Sequence, residues 1–189
     1  DVYAQLNTWD QYFEAGLKLQ EHFDNKVKML DNITNIYTQI NAQSDHIYFA
    51  EDGSFIGESP ESSMKTAWDT AVTASQMKLS ANTTTSSSEW NAAMNNGRIA
   101  SFVGAVWMKE ILMQAAPDTS GKWKVARAPG GDGNNGGSFL AIMKTSKYPQ
   151  EAFDVMKYIQ NPENQVQSFK KINLFPSATE ALDAPVMKE

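Results

Sequence analysis

Trp107, the glycine at 104 just before it and the run Gly136-Gly137-Ser138 further along are the residues of this chain whose types best suit the holding of a small molecule. An indole presents a flat apolar face on which the apolar side of a pyranose ring stacks. Glycine leaves the backbone bare, so a ligand can approach it closely. The order Asn96-Gly97, a short apolar run, Gly104, then Trp107 predicts a strand that gives way to a helix at the indole. Such junctions are where α/β proteins bind ligands. The chemistry this suits is reversible binding of a sugar-like molecule, although a strand-to-helix junction also buries aromatics, so residue logic leaves a core role for Trp107 open.

Other chemistries fit less well. His22 and His46 lack the spacing of a metal or catalytic pair. Glu51, Asp52 and Glu58 have the type needed for glycosidase carboxylates, but they surround a predicted turn, where solvated acids are ordinary. Residues 130–137 resemble a phosphate cradle only in glycine content, because no Lys-Ser or Lys-Thr follows. The same stretch lacks the bidentate acid that closes a calcium loop. No catalytic residue, metal ligand or cofactor is assigned.

Composition narrows the partners. The 189 residues are 41% hydrophobic, enough to fill one core. A formal charge of -6 with no basic cluster opposes nucleic-acid binding. Cysteine is absent, which excludes disulfides and thiolate sites without fixing the compartment. No apolar segment approaches the roughly 20 residues that span a bilayer. The opening at Asp1 and the polar tail from Asp183 to Glu189 suggest a processed or excised piece of a larger protein.

The elements that must position Trp107 follow from periodicity. Thr8 with Gln11 predicts a capping box and a helix over 9–23. A second apolar stripe predicts a helix over 28–42. Residues 46–56 read as a hairpin around Asp52-Gly53. Ser59-Pro60-Glu61 predicts a helix over 60–79 with Trp68 on its apolar face, and Ser88 a short helix through Met94. Strands are predicted at 99–103, 122–128 and 138–143, helices at 107–116, 150–160 and 163–171, and a last short helix after Phe175-Pro176-Ser177. Trp9 and Trp123 read as packing residues, and Trp90 has no clear assignment. The expected fold class is mixed α/β.

Read in order, Thr8-Trp9-Asp10-Gln11-Tyr12-Phe13-Glu14-Ala15-Gly16, Asn96-Gly97-Arg98-Ile99-Ala100, Gly104-Ala105-Val106-Trp107-Met108, Gly121-Lys122-Trp123-Lys124-Val125-Ala126 with Pro129-Gly130, and Gly137-Ser138 resemble family 1 extracellular solute-binding proteins of ABC sugar importers. Ala152-Phe153 through Tyr158-Ile159, with Pro162-Glu163-Asn164-Gln165, continues the likeness along nearly the whole chain. The resemblance implies the C-terminal lobe of a two-lobed periplasmic-binding-protein-like fold, type II-like, with a small mixed sheet flanked by helices. Residues 1–143 would be that lobe, and 144–189 crossover helices that normally pack on a missing N-terminal lobe. It also implies Trp107 as the stacking aromatic, with Gly104 and Ala105 leaving room beside it. Gly136, Gly137 and Ser138 would meet sugar hydroxyls, with Asn134 and Asn135 as amide partners. Phe175-Pro176 matches a loop that approaches the cleft, without an assigned contact.

The function so implied is a non-catalytic, extracytoplasmic sugar receptor, periplasmic or lipid-anchored, which delivers carbohydrate to ABC permease subunits. The expected partners are a sugar or oligosaccharide, the permease, the N-terminal lobe and, for a truncated chain, a domain-swapped second copy. Competing expectations are a receptor for a polyol, peptide or phosphorylated compound, a hydrolase using Glu51 or Glu58, and a purely structural fragment.

Overall fold

Local signals start the helices. The Thr8 hydroxyl accepts the Gln11 N–H at 3.2 Å while the Gln11 side chain accepts the Thr8 N–H at 3.2 Å, so the first turn of α1 (Trp9–His22) is satisfied from both sides. The computed structural model describes residues 6–134 and 136–187, which leaves Asn135 outside the described residues. Asn32 caps α2 (Ile33–Ala42), Ser62 caps α3 (Ser63–Gln76) and Ser87 caps α4 (Ser88–Asn95). Each cap side chain accepts an N–H that the helix itself cannot satisfy. α5 (Met108–Ala115), α6 (Pro149–Ile159), α7 (Pro162–Ile172) and α8 (Thr179–Leu182) complete the order.

The chain divides into two compact units, one of Asp1–Ala105 with Ile111–Asn135, the other of Val106–Glu110 with Gly136–Glu189. In the first unit, three extended segments run parallel, with residues 28–30 bonded to both others. Lys28 N–H donates to Arg98 O at 2.8 Å and Lys28 O accepts Ala100 N–H at 2.9 Å, while Leu30 N–H donates to Leu79 O at 3.2 Å and Leu30 O accepts Ala81 N–H at 2.9 Å. Leu30, Leu79 and Ile99, one from each segment, are fully buried, as is Ile36, and Tyr12 and Phe13 are buried as well. α3 meets α2 through the small buried residues Ala67, Ala71 and Ala74, which leave room for the apolar face of its neighbour.

Asp31, fully buried, closes this core at its polar end. Its Oδ1 accepts Asn32 N–H at 2.7 Å and Asn35 Nδ2 at 2.9 Å, and its Oδ2 accepts Trp90 Nε1 at 2.9 Å and Thr85 Oγ1 at 3.1 Å. A buried carboxylate is tolerated when its lone pairs are filled in this way. Tyr12 brings a buried phenol to the same core. Its hydroxyl lies 2.6 Å from Ser101 Oγ, and burial pushes its ionisation well above the ordinary tyrosine range.

The second unit is held by its turns. Gln165 Oε1 accepts the N–H groups of Ser177 at 2.8 Å and Ala178 at 3.0 Å, tying α7 to the start of α8. Phe169 and Phe175 meet edge to face at 6.2 Å. Much apolar surface remains uncovered in this unit: Phe139 is 97% exposed, and Met143, Tyr148, Val155 and Tyr158 are exposed as well.

Several expectations change. The small mixed sheet is reduced, among the described residues, to isolated bridges: two parallel and one antiparallel, at Phe49 and Phe55 of the hairpin. Only Ile99 pairs within 99–103, and residues 122–128 and 138–143 form no ladder. Residues 28–30 are extended, so the second helix starts at Ile33. The third starts at Ser63 because Ser62 supplies the cap. Trp68 points away from the core and is 64% exposed, because the alanines form the packing face.

Candidate functional site

Trp107 stands at the turn that opens α5, where Glu110 N–H donates to Trp107 O at 3.3 Å. The residue is 42% exposed, whereas the next one, Met108, is buried. A core role for Trp107 is thereby set aside: the buried indole of the chain is Trp90, bonded to Asp31. Trp9 packs against the core, and Trp123 donates to Thr119 Oγ1 at 2.6 Å. An indole held at a helix start with much of its face open can stack on a flat apolar ligand surface.

Gly136 lies beside this ring. A side chain begun at Gly136 would stand 3.9 Å from Trp107 Nε1, so the indole edge is within van der Waals reach of bare backbone. Gly136 and Gly137 have φ of 92° and 112°, in the left-handed region that other residues rarely adopt, and Ser138 follows with an exposed side chain. Trp107, Gly136, Gly137 and Ser138 all belong to the second unit. Their combination provides one stacking face and several peptide and hydroxyl groups.

Gly104, Ala105 and Asn134 belong to the first unit. Gly104 is exposed and Ala105 half-buried at the end of the segment before Trp107. Asn134 has its N–H bonded to Ala42 O at 3.1 Å, with its side chain exposed. The glycine-rich stretch before it is anchored rather than loose: Gln43 Nε2 donates to Pro129 O at 2.8 Å, Gly130 N–H donates to Asn7 O at 2.9 Å, and Arg127 clasps Asp132 through two bonds of 2.9 and 2.8 Å. Nothing local marks a glutamine at a helix end as the anchor of a distant loop, so the role of Gln43 is visible only in the structure. Phe175 is half exposed and Pro176 buried.

The competing chemistries find little support. Glu51, Asp52 and Glu58 are all exposed, and Asp52 spends one oxygen on the Ser54 hydroxyl and N–H at 2.6 and 2.9 Å. Those bonds favour its ionised form, a turn-stabilising role rather than an acid's. Among the described residues no group of three His, Asp or Glu side chains stands ready to hold a metal. None of the described helices is long and apolar enough to cross a membrane.

The sequence pattern of the bacterial extracellular solute-binding proteins matches residues 1–166, and the chain belongs to that family. Among solved structures, an extracellular solute-binding protein of family 1 superposes with a TM-score of 0.85 at 29% identity, covering 97% of this chain and 47% of the other. The binding protein associated with an ABC transporter of B. animalis subsp. lactis, in complex with β-1,6-galactobiose, gives 0.72 at 23% identity over 97% and 47%. The sugar-binding protein MalE of the phytopathogen Xanthomonas citri gives 0.76 at 19% identity over 96% and 48%. The last two likenesses concern the fold alone. No protein with a curated description matches the chain. The chain spans about half the length of the solved structures it matches. The family and these relatives are binding proteins.

Proposed function

We propose that this chain is the C-terminal part of an extracytoplasmic sugar receptor serving an ABC importer, with Trp107 as the platform on which the sugar stacks. The observation that carries this reading is the half-open indole beside Gly136. Gly136, Gly137 and Ser138 offer hydrogen bonds to sugar hydroxyls. That galactobiose, tagatose and a blood-group trisaccharide occupy structural relatives supports a sugar as the solute. The activity is binding without turnover.

In this reading residues 1–143 form a lobe and 144–189 pack on an N-terminal lobe outside the chain. Support comes from the uncovered apolar side chains along α6 and before it: Tyr148, Phe153, Val155, Tyr158 and Ile159. Large apolar surface left open to water marks a place where another surface packs. A sugar touching both lobes stabilises the closed state, and closure reports occupancy to the permease subunits at the membrane. The receptor is periplasmic or held at the cell surface by a lipid. A chain without its first lobe has the same apolar surface available for a second copy, which predicts self-association by exchange.

The test is a fluorescence titration of β-1,6-galactobiose, D-tagatose and a wider panel of sugars, polyols and peptides. It is made with this chain and with a longer chain that includes the preceding lobe. The reading predicts a saturable change with a sugar in the longer chain and a much weaker one in the shorter, because half the contacts and most of the water exclusion are absent. Saturation with a polyol or peptide only would assign another solute, and silence in both chains would overturn the receptor reading.

A further inference from the structure

The segment Val106–Glu110 groups with Gly136–Glu189, while the residues on either side of it group with the first unit. Five residues carrying the indole are thus fastened to a part of the chain far away in sequence. The fastening is visible at Glu110 and Asn173. Asn173 Nδ2 donates to Glu110 Oε2 at 3.3 Å, across 63 positions. Glu110 sits in the first turn of α5, three residues after Trp107, so the two share one side of the helix start.

Asn173 is built to present that amide. It terminates α7 with φ 55° and ψ 27°, the left-handed cap that asparagine tolerates better than most residues, and its N–H donates to Phe169 O at 2.9 Å. The chain on its far side is pinned by the Phe169–Phe175 contact and by Gln165. A donor held this firmly can orient what it binds.

We propose that Asn173 and Glu110 form a positioning clasp that seats the Trp107 indole against the C-terminal unit. Asn173 is a positioning residue: it touches Glu110, and through the first turn of α5 it sets the ring. Trp107, and whatever stacks on it, therefore belongs mechanically to residues 136–187 rather than to the first unit, which flanks it on both sides in sequence. The link to sugar rests on the function proposed above, whereas the clasp itself does not.

The experiment needs no ligand. The five indole N–H resonances of the ¹⁵N-labelled chain are recorded, with that of Trp107 identified by its loss in Trp107→Phe. Asn173→Gly keeps the left-handed cap and removes the donor, and Glu110→Ala removes the acceptor. Each should shift or broaden the Trp107 resonance and leave that of Trp90 in place. The double variant should add little to either single one, and Glu110→Gln, which retains an acceptor oxygen, should restore the original position. An unmoved Trp107 resonance in Asn173→Gly would overturn the clasp. So would a change that spreads equally to Trp90, because the pair would then serve general stability. The outcome is legible whether or not any sugar binds.

Discussion

Asp31 shows how much one residue can organise. It joins residues 28–31 to α2 through Asn32 and Asn35, and to α4 through Trp90, all with a single buried carboxylate. Truncation strands the fully buried Trp90 indole N–H without a partner. We therefore expect Asp31→Ala to lower unfolding free energy by about 3 kcal/mol. Urea denaturation followed by tryptophan emission measures this; a loss below about 0.5 kcal/mol would mean that water replaces the carboxylate.

Tyr12 carries a pH dependence of definite sign. Burial raises its ionisation, the Ser101 hydroxyl partly opposes that rise and the Asp31 charge adds to it. The native state then holds the phenolic proton more tightly than the unfolded state, whose tyrosine titrates near 10.0. Stability from this group is intact below that pH and falls as pH climbs through the native value. Tyr12→Phe should flatten the alkaline limb of a stability-against-pH curve and leave the neutral region parallel to the parent's.

At the scale of elements, close approach is the vulnerable quantity. A side chain at Gly16 would begin 2.8 Å from Leu79 Cδ2 and 3.0 Å from Met29 Cβ, so α1 lies almost on the parallel segments. Gly16→Val should cost about 2 kcal/mol through overpacking, read as a lower thermal midpoint. Thr8→Ala should cost about 1 kcal/mol through loss of the first-turn cap.

The same elements explain what could be read in advance. α1 was legible because Thr8 and Gln11 form a local motif, and α6 and α7 because proline marks each start. Met29 continues the apolar stripe of Ile33 and Ile36, so the local pattern reads residues 28–30 as helix. Their extended state is imposed by partners at 79–81 and 98–100, which no local window contains. The spacing of Met64, Ala67, Trp68 and Ala71 puts Trp68 on the apolar face, yet the buried face of α3 is formed by Ala67, Ala71 and Ala74. Trp107 was legible as a candidate because it follows a glycine at a helix start, while Glu110 and Asn173 became neighbours only through the chain's return.

At the scale of the molecule, the two units have different characters. The first buries a continuous apolar cluster around Leu30, Ile36 and Leu79. The second, apart from its turns, exposes the apolar faces of α6 and the segment before it. Under the proposed function that surface is the one a preceding lobe would cover, and affinity would come from contacts shared between the two. Supplying the preceding lobe should therefore raise the midpoint of thermal unfolding and reduce self-association, measurable by calorimetry and light scattering.

The central claim is that Trp107 is the stacking platform. Its most direct test is calorimetric titration of the two-lobed protein and its Trp107→Ala variant with the sugar that the panel selects. The account predicts that the variant loses at least about 2 kcal/mol, roughly thirtyfold in Kd, as expected for a central aromatic anchor. Its thermal midpoint should hold, because the ring is half open to solvent. Unchanged affinity in a folded variant would contradict the account and place the sugar elsewhere.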